Sequence, residues 1–266
     1  MNILKNVSSF GFFQSTCTRF SVTNNKEAFM RTLLKSSPSL SMVLFFMLTT
    51  TQAYAWHDKT HLSIAEAAGF ALWYSAAAPD VAKSKSEFRS IEEKNHYFNN
   101  SAHKEVDEAM VLEQVARYNK PGDVEGHLYG AIIGAVRAYK ADSASGKYAE
   151  YPLVFCAHYI GDLSMPLHNT EYDDFNKTRH TVNDGIIESS VRNNIGYIQR
   201  NMKEITIENE SDFAREIATV ANTARKLGAT LRNENRNMTQ DEAYSQIIQS
   251  SSLLKAVLKY VGKKPC

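Results

Sequence analysis

The sequence predicts an all-α fold, a single-domain helical bundle. Three observations lead there. Apolar residues recur at helical spacing, as in Phe213, Ile217, Val220, Ala224 and Leu231. Proline, glycine and capping residues punctuate the chain where helices should start and stop. No segment alternates apolar and polar residues as a half-buried strand would, and no internal repeat is evident.

The elements follow in order. Leu62 to Ala78 is Ala-rich and is expected to be one helix stopped by Pro79. Lys104 to Asn119 has helical spacing and ends at Pro121-Gly122. Asp123 is a candidate cap for the next helix, expected to run to Ala141. Gly126, Gly130 and Gly134 recur there at every fourth residue. Such a stripe lets another helix approach closely, and His127, Arg137 and Lys140 exclude a membrane dimer motif. Tyr151 to Leu163 is an apolar helix ending before Pro166. Asn169 to Arg179 is polar and reads as a loop. Thr181 to Met202 is expected to be one helix with Ile187, Val191, Ile195 and Ile198 on a face. Thr239 and Glu242 form a capping-box pattern before the last helix.

Residues 30–55 resemble a secretory leader. Arg31 and Lys35 supply its basic start, Leu40 to Leu48 its short apolar run, and Ala53-Tyr54-Ala55 its cleavage pattern. The run is too short to span a bilayer. Residues 1–29 carry no organised pattern, which places the expected translation start at Met30. Residues 56–266 then form the mature domain, secreted or periplasmic, with Trp56 as its first residue. This domain has 25 Lys and Arg against 28 Asp and Glu. That excludes a strongly basic nucleic-acid footprint and a polybasic membrane patch, although bound metal would still attract a polyanion. Cys156 and Cys266 remain after cleavage. They permit one disulfide, but Cys156 lies in an apolar helix and reads as a buried thiol. No CxxC, HExxH, GxSxG or Walker pattern is present, and a ferritin-like site would need a second partner for Glu93-x-x-His96.

All eight histidines follow Ala55. His158 and Asp162 are one helical turn apart and share a face; His180 and Asp184 repeat the spacing. One such pair alone is also the spacing of a surface ion pair. Two pairs with His168 between them offer imidazole and carboxylate donors that suit zinc. His57 and His103 read as surface groups, His127 as packed within its helix, and Tyr159 as core.

The stretch His158-Tyr-Ile-Gly-Asp-Leu-Ser-Met-Pro-Leu-His168 resembles the signature of the bacterial zinc-dependent phospholipase C family and of the related single-strand-specific nucleases. Trp56, His61, Asp80, His96, His158, Asp162, His168, His180 and Asp184 occur in that family's order. The resemblance implies a trinuclear zinc site. Asp80, His96, His158 and Asp162 would hold one ion, and His168, His180 and Asp184 a second. The amino group and carbonyl of Trp56, with His61 and a shared Asp162, would hold the third. It further implies Asp80 as general base or water-orienting group, and a monomer that touches membrane surfaces transiently. Asn169 and Glu171 depart from the phospholipase pattern after His168. The terminal Asp184 and the Trp56-x4-His61 spacing are nuclease-like. The nuclease's Gly-Gly-Asn segment is missing, and the loop before His180 is short. The expected activity is therefore phospholipase C-like cleavage of head-group phosphodiesters, with single-strand nuclease activity as the alternative and nucleic acid as its substrate.

Overall fold

The computed structural model describes residues 56–266, and the expectations for residues 1–55, including leader, start site and cleavage pattern, lie outside the described residues. The described residues form ten α-helices and no strand, as the sequence predicts. None of these helices is long and apolar enough to cross a membrane.

Helix α1 spans Asp58–Ala67. Its first amides would lack partners, and the Glu188 carboxylate supplies them by accepting from Lys59 N at 3.0 Å and Thr60 N at 3.1 Å. The helix ends far earlier than Ala78, because Gly69 adopts a left-handed φ of 76° and Phe70 N bonds back to Ala65 O. Pro79 does not stop a helix. It sits in the first turn of α2 (Ala78–Ser84), where its missing amide costs nothing. Helix α3 (Ser86–Asn95) follows directly and was not anticipated.

Helix α4 is shorter than expected, Glu108–Val115, because Asp107 caps it by accepting from Met110 N. Helix α5 (Leu128–Ala144) does not use Asp123 as its cap. Asp123 instead holds Arg117 and His127 Nδ1, the latter at 2.8 Å. Gly126 lies before the helix at φ 76°, so only Gly130 and Gly134 belong to the stripe. Those two act as expected: a Cβ on Gly130 would fall 2.1 Å from the Gln114 carbonyl carbon, so α4 and α5 are in backbone contact there.

Helix α6 (Glu150–Leu163) is apolar on nearly every side and packs against α1, α2 and α5. A 3-10 turn at Pro166–Asn169 redirects the chain. The expected loop is partly helical, since Asp173 caps α7 (Asp174–Asp184) by accepting from Asn176 N. The expected helix from Thr181 to Met202 is broken at Gly185. It becomes the end of α7, a 3-10 turn at Val191–Asn194 and α8 (Ile195–Asn201). Ile187, Val191 and Ile198 are still buried, and Ile195 partly so. Helices α9 (Glu210–Asn233) and α10 (Gln240–Tyr260) close the bundle. Every apolar residue named for α9 is buried, and Thr239 and Glu242 form the expected capping box. Cys156 is a buried free thiol and Cys266 an exposed one, so the permitted disulfide is not made.

Candidate metal centre

Helix α6 is the axis of the site. One turn of it presents His158 and Asp162 inward, both with no exposed surface. His158 Nε2 stands 3.4 Å from Asp162 Oδ2. The residue between them that permits this crowding is Gly161, because a Cβ there would lie 2.5 Å from His61 Nδ1. His61 comes from α1 and stacks on His158, with ring centroids 3.8 Å apart. Its Nε2 faces Asp162 Oδ1 at 3.4 Å.

Helices α2 and α3 add Asp80 and His96. Pro79 starts α2 so that Asp80, in its first turn, is buried against the cluster. Asp80 Oδ1 lies 3.8 Å from both His96 Nδ1 and His158 Nε2. His96 Nδ1 meets Asp162 Oδ2 at 2.9 Å and His158 Nε2 at 3.2 Å. The 3-10 turn and α7 complete the set. His168 Nε2 and His180 Nε2 stand 3.1 Å apart, and His180 Nε2 is 3.5 Å from Asp184 Oδ2.

Three buried donor groups result: His61 with Asp80 and His158; His96 with His158 and Asp162; His168 with His180 and Asp184. Each could hold a metal ion. Two physical tests support that reading. Both oxygens of Asp162, both of Asp184 and both ring nitrogens of His61 are buried without a hydrogen-bond partner. Buried carboxylates left so are costly unless a cation compensates them. The spacing also fits, since donors bound at about 2.0–2.1 Å to one tetrahedral zinc stand roughly 3.3 Å from one another.

The surrounding groups prepare the donors. His158 Nδ1 donates to Ala76 O at 2.8 Å, His168 Nδ1 to His96 O at 2.6 Å, and His180 Nδ1 to Asn176 Oδ1 at 2.7 Å. A carbonyl oxygen only accepts, so each of these rings keeps its Nε2 lone pair for the cluster. Burial holds His96, His158 and His168 well below the usual histidine range and pushes His180 down to about 4. They are therefore neutral, the form that binds metal, at neutral pH. Burial pushes Asp162 up to about 6 and Asp184 well above the carboxylate range. Burial raises Asp80 too, but His158 and the Lys83 ammonium outweigh it and hold it below its ordinary value.

The nine residues named from the sequence thus separate into two kinds. His61, Asp80, His96, His158, Asp162, His168, His180 and Asp184 converge. Trp56 lies close by through its side chain: the buried indole Nε1 donates to Ser164 Oγ at 3.4 Å, just beyond Asp162, and the next amide, His57 N, bonds Asp184 O at 3.4 Å. His103 is exposed, and Tyr159 is buried. His127 is buried as expected, but its partners are Asp123 in the preceding loop and Asn95 on α3.

Sequence reasoning missed Lys83 and Glu92. Lys83 Nζ lies 2.7 Å from Asp80 Oδ1. Burial lowers its pKa, but Asp80 and Asp162 more than restore it, so the ammonium stays charged. Glu92 is buried beside His96, and burial pushes it up to about 7. Both signals were in the sequence as helical spacings, Asp80-x-x-Lys83 and Glu92-x-x-x-His96. A cleft opens over the cluster between Lys83, Glu93, Tyr97, Leu167, Thr170 and Tyr172.

No protein-family model matches this chain, and no curated protein matches it.

Proposed function

We propose that this protein is a secreted or periplasmic zinc-dependent phosphodiester hydrolase, phospholipase C-like, acting on phospholipid head groups. The observation that carries the reading is the convergence of five histidines and three aspartates, buried and largely unpaired, beneath an open cleft. Three zinc ions would be held by His61, Asp80, His96, His158, Asp162, His168, His180 and Asp184, with the Trp56 amino group joining them once the leader is removed. Bound zinc would polarise a phosphoryl oxygen, lower the pKa of coordinated water and stabilise a leaving alkoxide.

The chain's own groups supply the rest. Asp80, ionised and at the cluster's edge, orients the attacking water and accepts its proton. Lys83, charged and lining the cleft, offers its ammonium to the phosphoryl oxygens. Tyr97, Leu167 and Thr170 give the cleft an apolar and uncharged wall suited to an organic substituent. The proposed enzyme works as a monomer that meets its lipid transiently.

One observation favours nuclease action as a second reading. Tyr172 lines the cleft and is 49% exposed, a ring on which a base could stack. Hydrolysis of phosphatidylcholine, single-stranded DNA and a chromogenic phosphodiester, measured side by side, separates the two. Lipid cleavage supports the first reading, DNA cleavage the second, and no cleavage of any of them refutes both.

A further inference from the structure

We infer that Glu92 is a positioning residue that fixes which nitrogen of His96 faces the metal cluster. His96 is turned the opposite way from its neighbours. His158, His168 and His180 each donate from Nδ1 to an oxygen and aim Nε2 at the cluster. His96 instead aims Nδ1 inward, 2.9 Å from Asp162 Oδ2 and 3.2 Å from His158 Nε2. Its Nε2 points away, and the group it meets is Glu92 Oε1 at 3.4 Å. Nε2 is buried and makes no hydrogen bond, and Glu92 Oε1 at 3.4 Å is an ion-pair contact rather than a bonded partner. A histidine that binds metal through one nitrogen turns the N–H of the other toward an oxygen, so a ring with Glu92 Oε1 on its outer side carries its proton on Nε2 and leaves the Nδ1 lone pair for a metal.

The placement of Glu92 is itself determined. It lies one helical turn before His96, which caps α3. Tyr159 Oη donates to Glu92 Oε1 at 2.5 Å, and Asn95 Nδ2 to Oε2 at 3.4 Å. Asn95 Nδ2 also reaches Tyr159 Oη at 3.1 Å and Asn119 Oδ1 at 2.9 Å. Tyr159 stands next to His158 on α6, so the helix that carries one proposed ligand also anchors the carboxylate that orients another. Among the four rings whose outer nitrogen meets an oxygen, His96 is the one served by a carboxylate; the rest have neutral carbonyls. Such a partner makes the ring a more basic ligand.

The inference rests on the metal-site reading and not on the reaction catalysed. Its test uses the zinc-loaded protein with nitrogen-15-labelled histidine. Ring resonances should show His96 protonated at Nε2, and His158, His168 and His180 protonated at Nδ1. A His96 ring protonated at Nδ1 would overturn the assignment with no variant needed. Zinc affinity of Glu92→Gln should fall about tenfold or more, while the thermal midpoint of the metal-free variant is no lower than the parent's. Unchanged zinc affinity would overturn the role, and so would a metal-free variant destabilised in step with its lost affinity, since that describes a structural residue. A parent protein that takes up no zinc would instead refute the metal-site reading itself.

Discussion

His61 Nε2 and Asp162 Oδ1 face each other at 3.4 Å, while the other oxygen of Asp162 faces His96 at 2.9 Å. Each oxygen of this one carboxylate thus addresses a different histidine, and neither has a hydrogen bond. That is the disposition required of a carboxylate shared between two cations.

Asp162→Asn is therefore expected to lose more zinc than any other carboxylate change at the site, measured as metal per chain. An amide is a poorer zinc ligand than a carboxylate. The same change should act in the opposite direction on the metal-free protein. Burial raises the Asp162 pKa to about 6 from 3.8. A raised folded pKa gives stability that is whole below the unfolded value and lost as pH rises through the folded one. Metal-free Asp162→Asn should then be more stable to unfolding than metal-free parent at pH 7.5, by up to roughly 3 kcal/mol. At pH 3.5 the two should coincide. Equal zinc content in variant and parent would contradict the shared role.

Asp80 is one proposed zinc ligand among eight as well as the proposed base, whereas Lys83 holds no metal. Asp80→Asn should lower turnover by about a hundredfold or more while most zinc stays bound. Lys83→Met keeps the length of the side chain and removes its charge. It should lower turnover by a similar factor with zinc content unchanged, because the ammonium is no metal ligand. Normal turnover in either variant would remove that residue from the proposed machinery.

Gly161→Ala places a methyl where His61 Nδ1 lies 2.5 Å away. His61 must shift, and its stack on His158 opens. Zinc content should fall and the fold should weaken by about 1–3 kcal/mol. A variant with full zinc and parental melting would mean that His61 is not held against the cluster.

The mature chain is expected to begin at Trp56. The buried indole and the His57–Asp184 backbone bond already hold this segment at the site. Terminal sequencing of the exported protein should read Trp-His-Asp. A different first residue in active protein would leave the Trp56 amine outside the centre.

The helical class and the inner face of α9 were legible because apolar spacing is a local property of the sequence. So were the pairs His158–Asp162 and His180–Asp184, each one turn of helix. The breaks were harder to read. Gly69 ends α1 through a left-handed turn that the Ala-rich pattern runs past, and Pro79 reads equally as a stop or a start. Asp123 has the chemistry of a cap, but Arg117 and His127 claim its oxygens. Lys83 and Glu92 were not named from the sequence because their burial comes from how α2 and α3 pack in the fold, which no local window contains. The match of His61 to Asp162 was available only through the family resemblance, since spacing says nothing about distant partners.

The central claim is that the buried histidine and aspartate cluster holds the metal that drives phosphodiester cleavage. The most direct measurement is the metal content of the purified mature protein, with hydrolysis of a chromogenic phosphodiester followed through chelation and restoration. The account predicts three zinc ions per chain, activity lost with them and regained when zinc is added back. A protein without stoichiometric divalent metal, or one whose hydrolysis survives complete chelation, would contradict it.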